Sequence, residues 1–214
     1  MDIPKIIYQT YKTKINQETI DELMLLNPGF DYKFFDDIDC LKFLQENFSE
    51  KIAHTFTILK SGAHKSDLFR YCLLLKYGGF YVDVDIKMSV SFDEIMKKCG
   101  ESDLITVKSQ HKGDGLYQGL LISKPGNKLF NILINNIIEN PNPVDYGYYI
   151  KFFGSHIRKN NGCDNFEPFI HYKIDDISFY MFKEILYEDT KYVSIDSNEN
   201  IILYGNGHHS LYGV

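Results

Sequence analysis

Apolar and polar residues alternate with period two over residues 80–87. Phe80, Val82, Val84 and Ile86 fall on one side, and Tyr81, Asp83, Asp85 and Lys87 on the other, as in a half-buried strand. The preceding residues 61–77 have the length and spacing of a helix, and Gly78-Gly79 stands where a helix ends with positive φ. Residues 3–8 are apolar and β-prone, a first strand. Helical spacing through Ile20, Leu23 and Met24 predicts a helix over 16–26, stopped by Asn27-Pro28-Gly29. A short strand is expected at 31–35 and a helix at 38–48. Further strands are expected at 103–108, 119–123, 192–195 and 201–204, with a long apolar helix at 128–139 ended by Asn140-Pro141. Strands alternating with helices predict an α/β protein with a central mixed sheet and helices on both faces. The layout is Rossmann-like, although no Gly-rich dinucleotide fingerprint follows the first strand.

A length of 214 residues suits one domain spanning 1–214. Net charge is −6, and no basic stripe interleaves with the aromatics, which argues against nucleic acid as a partner. An acidic protein that binds a phosphate-bearing ligand needs local cations or a metal. Cys40, Cys72, Cys99 and Cys163 form no CxxC pair and read as buried free thiols. The N-terminus reads as a strand and not as a signal sequence, and no apolar run approaches the roughly 18 residues of a membrane span. A soluble, cytoplasmic protein without a transmembrane segment is the expectation.

The strongest chemical signal is the pair Asp83 and Asp85. Two residues apart on a strand, their carboxylates share a face about 7 Å apart at the backbone, and like charges so placed repel unless a cation intervenes. A hard divalent ion, Mn²⁺ or Mg²⁺, suits such oxygen ligands. On the preceding helix Asp67 and Arg70 are three apart and share a face. The plain alternative is a solvated edge strand beside a surface ion pair; the helix, the Gly-Gly turn and the apolar strand around the motif weigh against it.

The run Ser66-Asp67-Leu68-Phe69-Arg70-Tyr71, followed by Tyr77-Gly78-Gly79-Phe80-Tyr81-Val82-Asp83-Val84-Asp85, resembles the signature of DXD sugar-binding glycosyltransferases. That group includes family 32, the yeast outer-chain mannosyltransferases, capsular polysaccharide transferases and, more distantly, the large clostridial glucosylating toxins. Ile3-Pro4-Lys5-Ile6-Ile7-Tyr8-Gln9-Thr10 is similar to the family's first strand, where His is more usual than Tyr8. The small size and Lys/Asn-rich style also resemble glycosyltransferases of large algal viruses.

The resemblance implies a GT-A fold that binds a nucleotide sugar, with UDP favoured, together with Mn²⁺ or Mg²⁺. It implies transfer of a hexose-type sugar to a glycan or glycoprotein acceptor, with retention of anomeric configuration. Carried across by position, Gln9, Thr10 and Tyr11 line the base and ribose pocket. Ser66, Asp67 and Arg70 hold the donor sugar, with Arg70 also near the diphosphate. Asp83 meets ribose, sugar or metal, Val84 borders the donor, and Asp85 is a direct metal ligand. In Tyr117-Gln118-Gly119-Leu120-Leu121, Gln118 stands in for the family's Asn beside the donor sugar. Gly154-Ser155-His156 sits where a Gly-Pro element is common.

Near the end, Gly205-Asn206-Gly207-His208-His209-Ser210-Leu211-Tyr212 is similar to a His and Ser-x-Trp element that closes over the diphosphate. Tyr212 replaces the Trp, and the family's longer His-to-Ser spacing is absent. Here His208 or His209 would complete the metal shell, and Ser210 and Tyr212 would touch the donor. The plain alternative is a glycine-flanked polar tail.

Two other readings compete. Haloacid-dehalogenase-type phosphatases also end a strand with Asp-x-Asp, but near the N-terminus and with Thr or Val where Lys87 stands. A catalytically silent nucleotide-sugar or carbohydrate-binding module is opposed by the intact set of Asp67, Arg70, Asp83 and Asp85.

Overall fold

The computed structural model describes residues 2–110, 115–161, 167–188 and 191–205. Strand β1 (Ile6–Thr10) leads to helix α1 (Gln17–Leu26), whose N-cap Asn16 accepts a hydrogen bond from the Glu18 backbone N–H at 3.1 Å. Strand β2 (Asp31–Phe35) is followed by α2 (Asp37–Asn47), which opens with a capping box between Asp36 and Asp39, and by α3 (Glu50–Ile58). Helix α4 (Gly62–Tyr77) ends at Gly78, whose φ of +62° only glycine adopts without strain. Then come β3 (Gly79–Val82), β4 (Ile86–Met88), α5 (Phe92–Cys99), β5 (Leu104–Lys108) and β6 (Leu116–Ser123). The chain continues through α6 (Leu129–Glu139), α7 (Tyr148–Asn161), β7 (His171–Ile174), β8 (Ile177–Tyr187), β9 (Lys191–Ile195) and β10 (Ile201–Gly205).

The sheet runs β2-β1-β3-β6-β5-β8-β9-β10-β4, with β7 paired to β8. β1 is parallel to β2 and β3, and β5 is parallel to β8; the other pairings are antiparallel. β3 and β4 are separated along this path by strand spacings that would span roughly 29 Å if flat. The chain joins them through Asp83, Val84 and Asp85, a reach of at most about 14 Å. The sheet must therefore curl until its β4 edge returns to the end of β3. That return sets the Asp-Val-Asp segment at the junction.

Period-two alternation sorts the strand side chains into two cores. Tyr8, Tyr81, Leu104 and Leu121 pack with residues of α2, α3, α4, α6 and α7. Ile7, Phe80, Ile105, Leu120 and Ile122 pack with Leu23 of α1 and with Phe92 and Ile95 of α5. Helices thus cover both faces of a mixed sheet, as expected. Cys40, Cys72 and Cys99 are free and buried. Among the described residues no helix is long and apolar enough to cross a membrane.

One expectation fails. Residues 80–87 are not a single strand: β3 stops at Val82, and the Ile86 N–H donates to the Asp83 carbonyl at 3.1 Å, closing a turn. The alternation survives on one side because Val82, Val84 and Ile86 remain buried, but β4 pairs with β10 and not with the neighbours of β3. Tyr81, placed by alternation on the solvent side, is fully buried.

Candidate active site

Helix α4 is buried nearly all round, which carries Asp67 and Arg70 into the interior on one face. The glycine pair at its end reverses the chain into β3, bringing the Asp83–Asp85 turn back beside that face. Arg70 Nη2 lies 3.0 Å from Asp83 Oδ1 and 3.6 Å from Asp67 Oδ1. Its Nε donates to the Ser66 carbonyl at 3.1 Å, and Nη1 donates to the Gln118 carbonyl. The guanidinium lies 4.4 Å above the centroid of the Tyr81 ring, and the Tyr81 hydroxyl donates to Asp83 Oδ1 at 3.0 Å.

The turn is held from both flanks. The Asp83 N–H donates to the Gly119 carbonyl of β6 at 2.8 Å, and Gln9 Nε2 at the end of β1 donates to the Asp83 carbonyl at 3.4 Å. Gln9 Oε1 accepts from the Tyr32 hydroxyl at 3.0 Å. On β6, Gln118 Oε1 accepts from the Tyr71 hydroxyl, while its buried Nε2 has no hydrogen-bond partner among the described residues. An unsatisfied buried amide donor beside the Arg70 cluster is a group that a ligand oxygen would satisfy.

Burial and neighbouring charge shape the ionisation of this cluster. Burial pushes the Asp67 carboxyl up to about 6; Arg70 pulls it back, and Asp83 adds to the rise. Burial works against the Arg70 charge, but Asp83, Tyr81 and Asp67 together hold the guanidinium more firmly protonated than usual. The Tyr117 phenol is raised by burial and then by Asp83 and Asp85; that of Tyr146 by burial and then by Asp67 and Asp83. Tyr117 and Tyr146 thus lie within electrostatic reach of the cluster.

Asp83 meets Arg70 and Tyr81, and Asp85, two residues further on and half-buried, would offer a cation at the turn a second carboxylate. Among the described residues no group of three or more His, Cys, Asp or Glu side chains is arranged to hold a metal. Mg²⁺ or Mn²⁺ nonetheless fits this oxygen-only turn. Mg²⁺ is usually held by one or two carboxylates, with water and substrate phosphates completing the shell. Beside the turn, a cavity of about 530 Å³ opens between α1 and β4, lined by Gln9, Thr19, Glu22, Leu23, Ile86 and Met88 among others.

The remaining expected residues scatter. Thr10 points to the opposite side from Gln9: its hydroxyl donates to the Phe35 carbonyl at 2.8 Å and touches Cys40 Sγ at 3.2 Å. Tyr11 lies past the end of β1 and is partly exposed. Ser66 contributes its backbone carbonyl to Arg70, and Val84 is buried in the turn. His156 lies on α7 against Phe152 and Asn160 of its own helix. His208, His209, Ser210 and Tyr212 lie outside the described residues, as does Cys163.

The curled mixed sheet and the turn at its junction define a GT-A-type glycosyltransferase fold. The solved PaToxG glycosyltransferase shares it with a TM-score of 0.52, covering 73% of this chain and 69% of that one at 13% identity. More specifically, residues 5–100 match the family described as the glycosyltransferase sugar-binding region containing DXD motif. A mannosyl phosphorylinositol ceramide synthase of Saccharomyces cerevisiae is 36% identical over 87 residues, which is 39% of this chain and 22% of the yeast protein. An uncharacterised glycosyltransferase of Acanthamoeba polyphaga mimivirus is 24% identical over 123 residues, 57% of this chain and 48% of the viral protein. The chain therefore spans less than half the length of these relatives.

Proposed function

We propose that this chain is a metal-dependent glycosyltransferase. It moves a hexosyl group from a nucleoside diphosphate sugar to a glycan or glycoprotein acceptor, with retention at the anomeric carbon. The observation that carries the reading is the buried Arg70 pinned between Asp67 and Asp83, with Asp85 two residues further along the same turn. Asp67 accepts hydrogen bonds from donor-sugar hydroxyls, most strongly in its ionised form. Arg70 keeps Asp83 in place, and its charge faces the anionic diphosphate. Gln118 Nε2 supplies a further donor to the sugar, and Gln9 borders the nucleoside. A divalent ion at Asp85 supplies neutralisation of the charge that builds on the departing β-phosphate. Fixing the turn from β1, β3 and β6 gives these groups their positions before substrate arrives, which is where such sites gain their rate.

Mannose is the first hexose to test, because the yeast relative is named a mannosyl phosphorylinositol ceramide synthase. Uridine diphosphate is the favoured carrier, with guanosine diphosphate second. A thermal-shift screen of UDP- and GDP-sugars with and without Mn²⁺ tests the assignment, since a ligand of the native state raises its stability by mass action. The expected result is a shift for one donor that needs the metal; no shift with any donor overturns it. The anomeric configuration of the product, read by NMR, tests retention.

A further inference from the structure

The connection between α6 and α7 brings a tyrosine to the site that no motif marks. Asn142 anchors it at one end: its amide donates to the Ile58 carbonyl at 2.9 Å, and its oxygen accepts from the Lys60 N–H at 2.6 Å. Asp145 anchors the other end, accepting from the Gly147 N–H at 2.9 Å and from Lys151 Nζ at 2.7 Å. Directly after Asp145, Tyr146 lies against His64 of α4. The two rings stack with centroids 5.6 Å apart and planes 27° from parallel, and His64 Nε2 is 3.3 Å from the Tyr146 carbonyl. Tyr149 closes on the same imidazole edge-on at 4.8 Å. His64 is itself only 4% exposed, so Tyr146 rests on a buried, immobilised support.

His64 and Asp67 are three residues apart and share a face of α4. Tyr146, stacked on His64, therefore stands on the Asp67 side of α4. The influence of Asp67, Asp83, Arg70 and Asp85 on its phenol agrees with that placement. Tyr146 keeps 47% of its surface exposed, whereas Asp67 keeps 8%. The carboxylates thus form the floor of the site and the tyrosine its wall. A pyranose has hydroxyls at its rim and a C–H face that is apolar. Oriented with its hydroxyls to Asp67 and Asp83, it would turn that face toward an aromatic wall.

We propose that Tyr146 is the wall against which the donor sugar packs, so that it reads the sugar and not the nucleotide. This rests on the glycosyltransferase reading above, and it adds a sugar-contacting residue to the site. Stacking on the buried His64 holds the ring in place before the donor binds, which keeps the ordering cost of binding low.

Calorimetric titration in the presence of Mn²⁺ tests this, using UDP, UDP-glucose, GDP and GDP-mannose on the parent, Tyr146→Ala, Tyr146→Leu and Tyr146→Phe. For whichever nucleotide sugar the parent binds, Tyr146→Ala and Tyr146→Leu should weaken binding about 3- to 10-fold, the range of one aromatic contact. Binding of the bare diphosphate should stay unchanged, and Tyr146→Phe should remain within about twofold of the parent. Leu occupies the place on His64 without offering an aromatic face, so it separates stacking from support of the loop. Equal weakening of sugar and bare nucleotide overturns the proposal, as does a Phe variant as poor as Ala. Unchanged donor affinity with a raised acceptor KM would move the residue to the acceptor side and overturn it too. If the parent binds none of the nucleotide sugars, the glycosyltransferase reading falls with it; a parent that binds normally beside an unaffected Tyr146→Ala sinks the wall alone.

Discussion

Arg70 and Asp83 meet at 3.0 Å across the gap between helix α4 and the turn that follows strand β3, with the arginine side chain only 3% exposed. The contact ties a helix to a turn, and it also keeps Asp67 and Asp83 from facing each other uncompensated. Arg70→Ala would leave two carboxylates in a poorly hydrated place with no cation between them. Removing one partner of a buried ion pair costs about 3–5 kcal/mol. Urea denaturation should therefore show a loss of that order together with a loss of donor binding. Arg70→Lys restores the charge but neither the fork nor the stacking on Tyr81, and should recover only part of the stability. A loss below about 1 kcal/mol in the alanine variant would class the pair with ordinary surface bridges.

The Asp67 carboxyl gives the molecule a pH signature. Its folded-state value is raised to about 6, by burial first, above the usual aspartate range. The folded state therefore favours the protonated acid, and this contribution to stability is fully present below the ordinary aspartate value. It is lost as pH rises through about 6. Asp67→Asn cannot ionise, so its melting temperature should fall less than the parent's between pH 4 and pH 7. Activity should run the other way, since an ionised carboxylate accepts sugar hydroxyls more strongly than the neutral acid. In the parent, turnover should rise through a limb near pH 6, and in Asp67→Asn it should be low throughout. Parallel melting curves for the two proteins across that range would refute the assignment.

Much of this was legible in the residues, for identifiable reasons. The first two strands, α1, α2 and α4 announce themselves through period, β-propensity and the glycine and proline stops, all of which act locally. Helix α5 has an equally local signal in its Ser91–Glu94 capping box. The turn at Asp83–Asp85 has a weaker one. Beyond the turn tendency of its two aspartates it has no Gly or Pro, and with Val82, Val84 and Ile86 all buried it keeps a strand's pattern, which the long-range pairing of β4 with β10 overrides. Strand β8 and helix α7 were likewise unforeseen. Spacing marks Asp83 and Asp85 as a candidate metal-binding pair, although on a turn and not on one face of a strand, whereas Tyr117 and Tyr146 come near them only through folding.

Gly79 tests how tightly the turn is carried. Its φ is +109°, and a Cβ there would lie 2.8 Å from the Tyr8 ring and 2.9 Å from the Ile6 carbonyl oxygen. β3 approaches β1 so closely because this position has no side chain. Gly79→Ala combines strained backbone with a clash against a neighbouring strand, and should cost about 1–3 kcal/mol. It should also loosen the Gln9 contact to Asp83, lowering donor affinity. Thermal unfolding and donor titration on the same variant report both effects, and an Ala variant as stable as the parent would show that the strands move apart freely.

Asp85 offers the sharpest separation of function from fold. It sits on the turn, half-buried, while the Arg70 contact that holds the turn runs to Asp83. Asp85→Ala should cost less unfolding free energy than Asp83→Ala, which loses the buried Arg70 pair. The same variant should lose the Mn²⁺-dependent part of nucleotide binding and all metal-dependent donor hydrolysis. Chelation of the parent with EDTA should reproduce that loss, and added Mn²⁺ should reverse it in the parent alone. Asp83→Ala makes the contrast, because it removes an Arg70 partner and should cost stability and donor binding together. If Asp85→Ala still takes up nucleotide in proportion to added Mn²⁺ and hydrolyses donor at the parent's rate, the cation is not held at this turn.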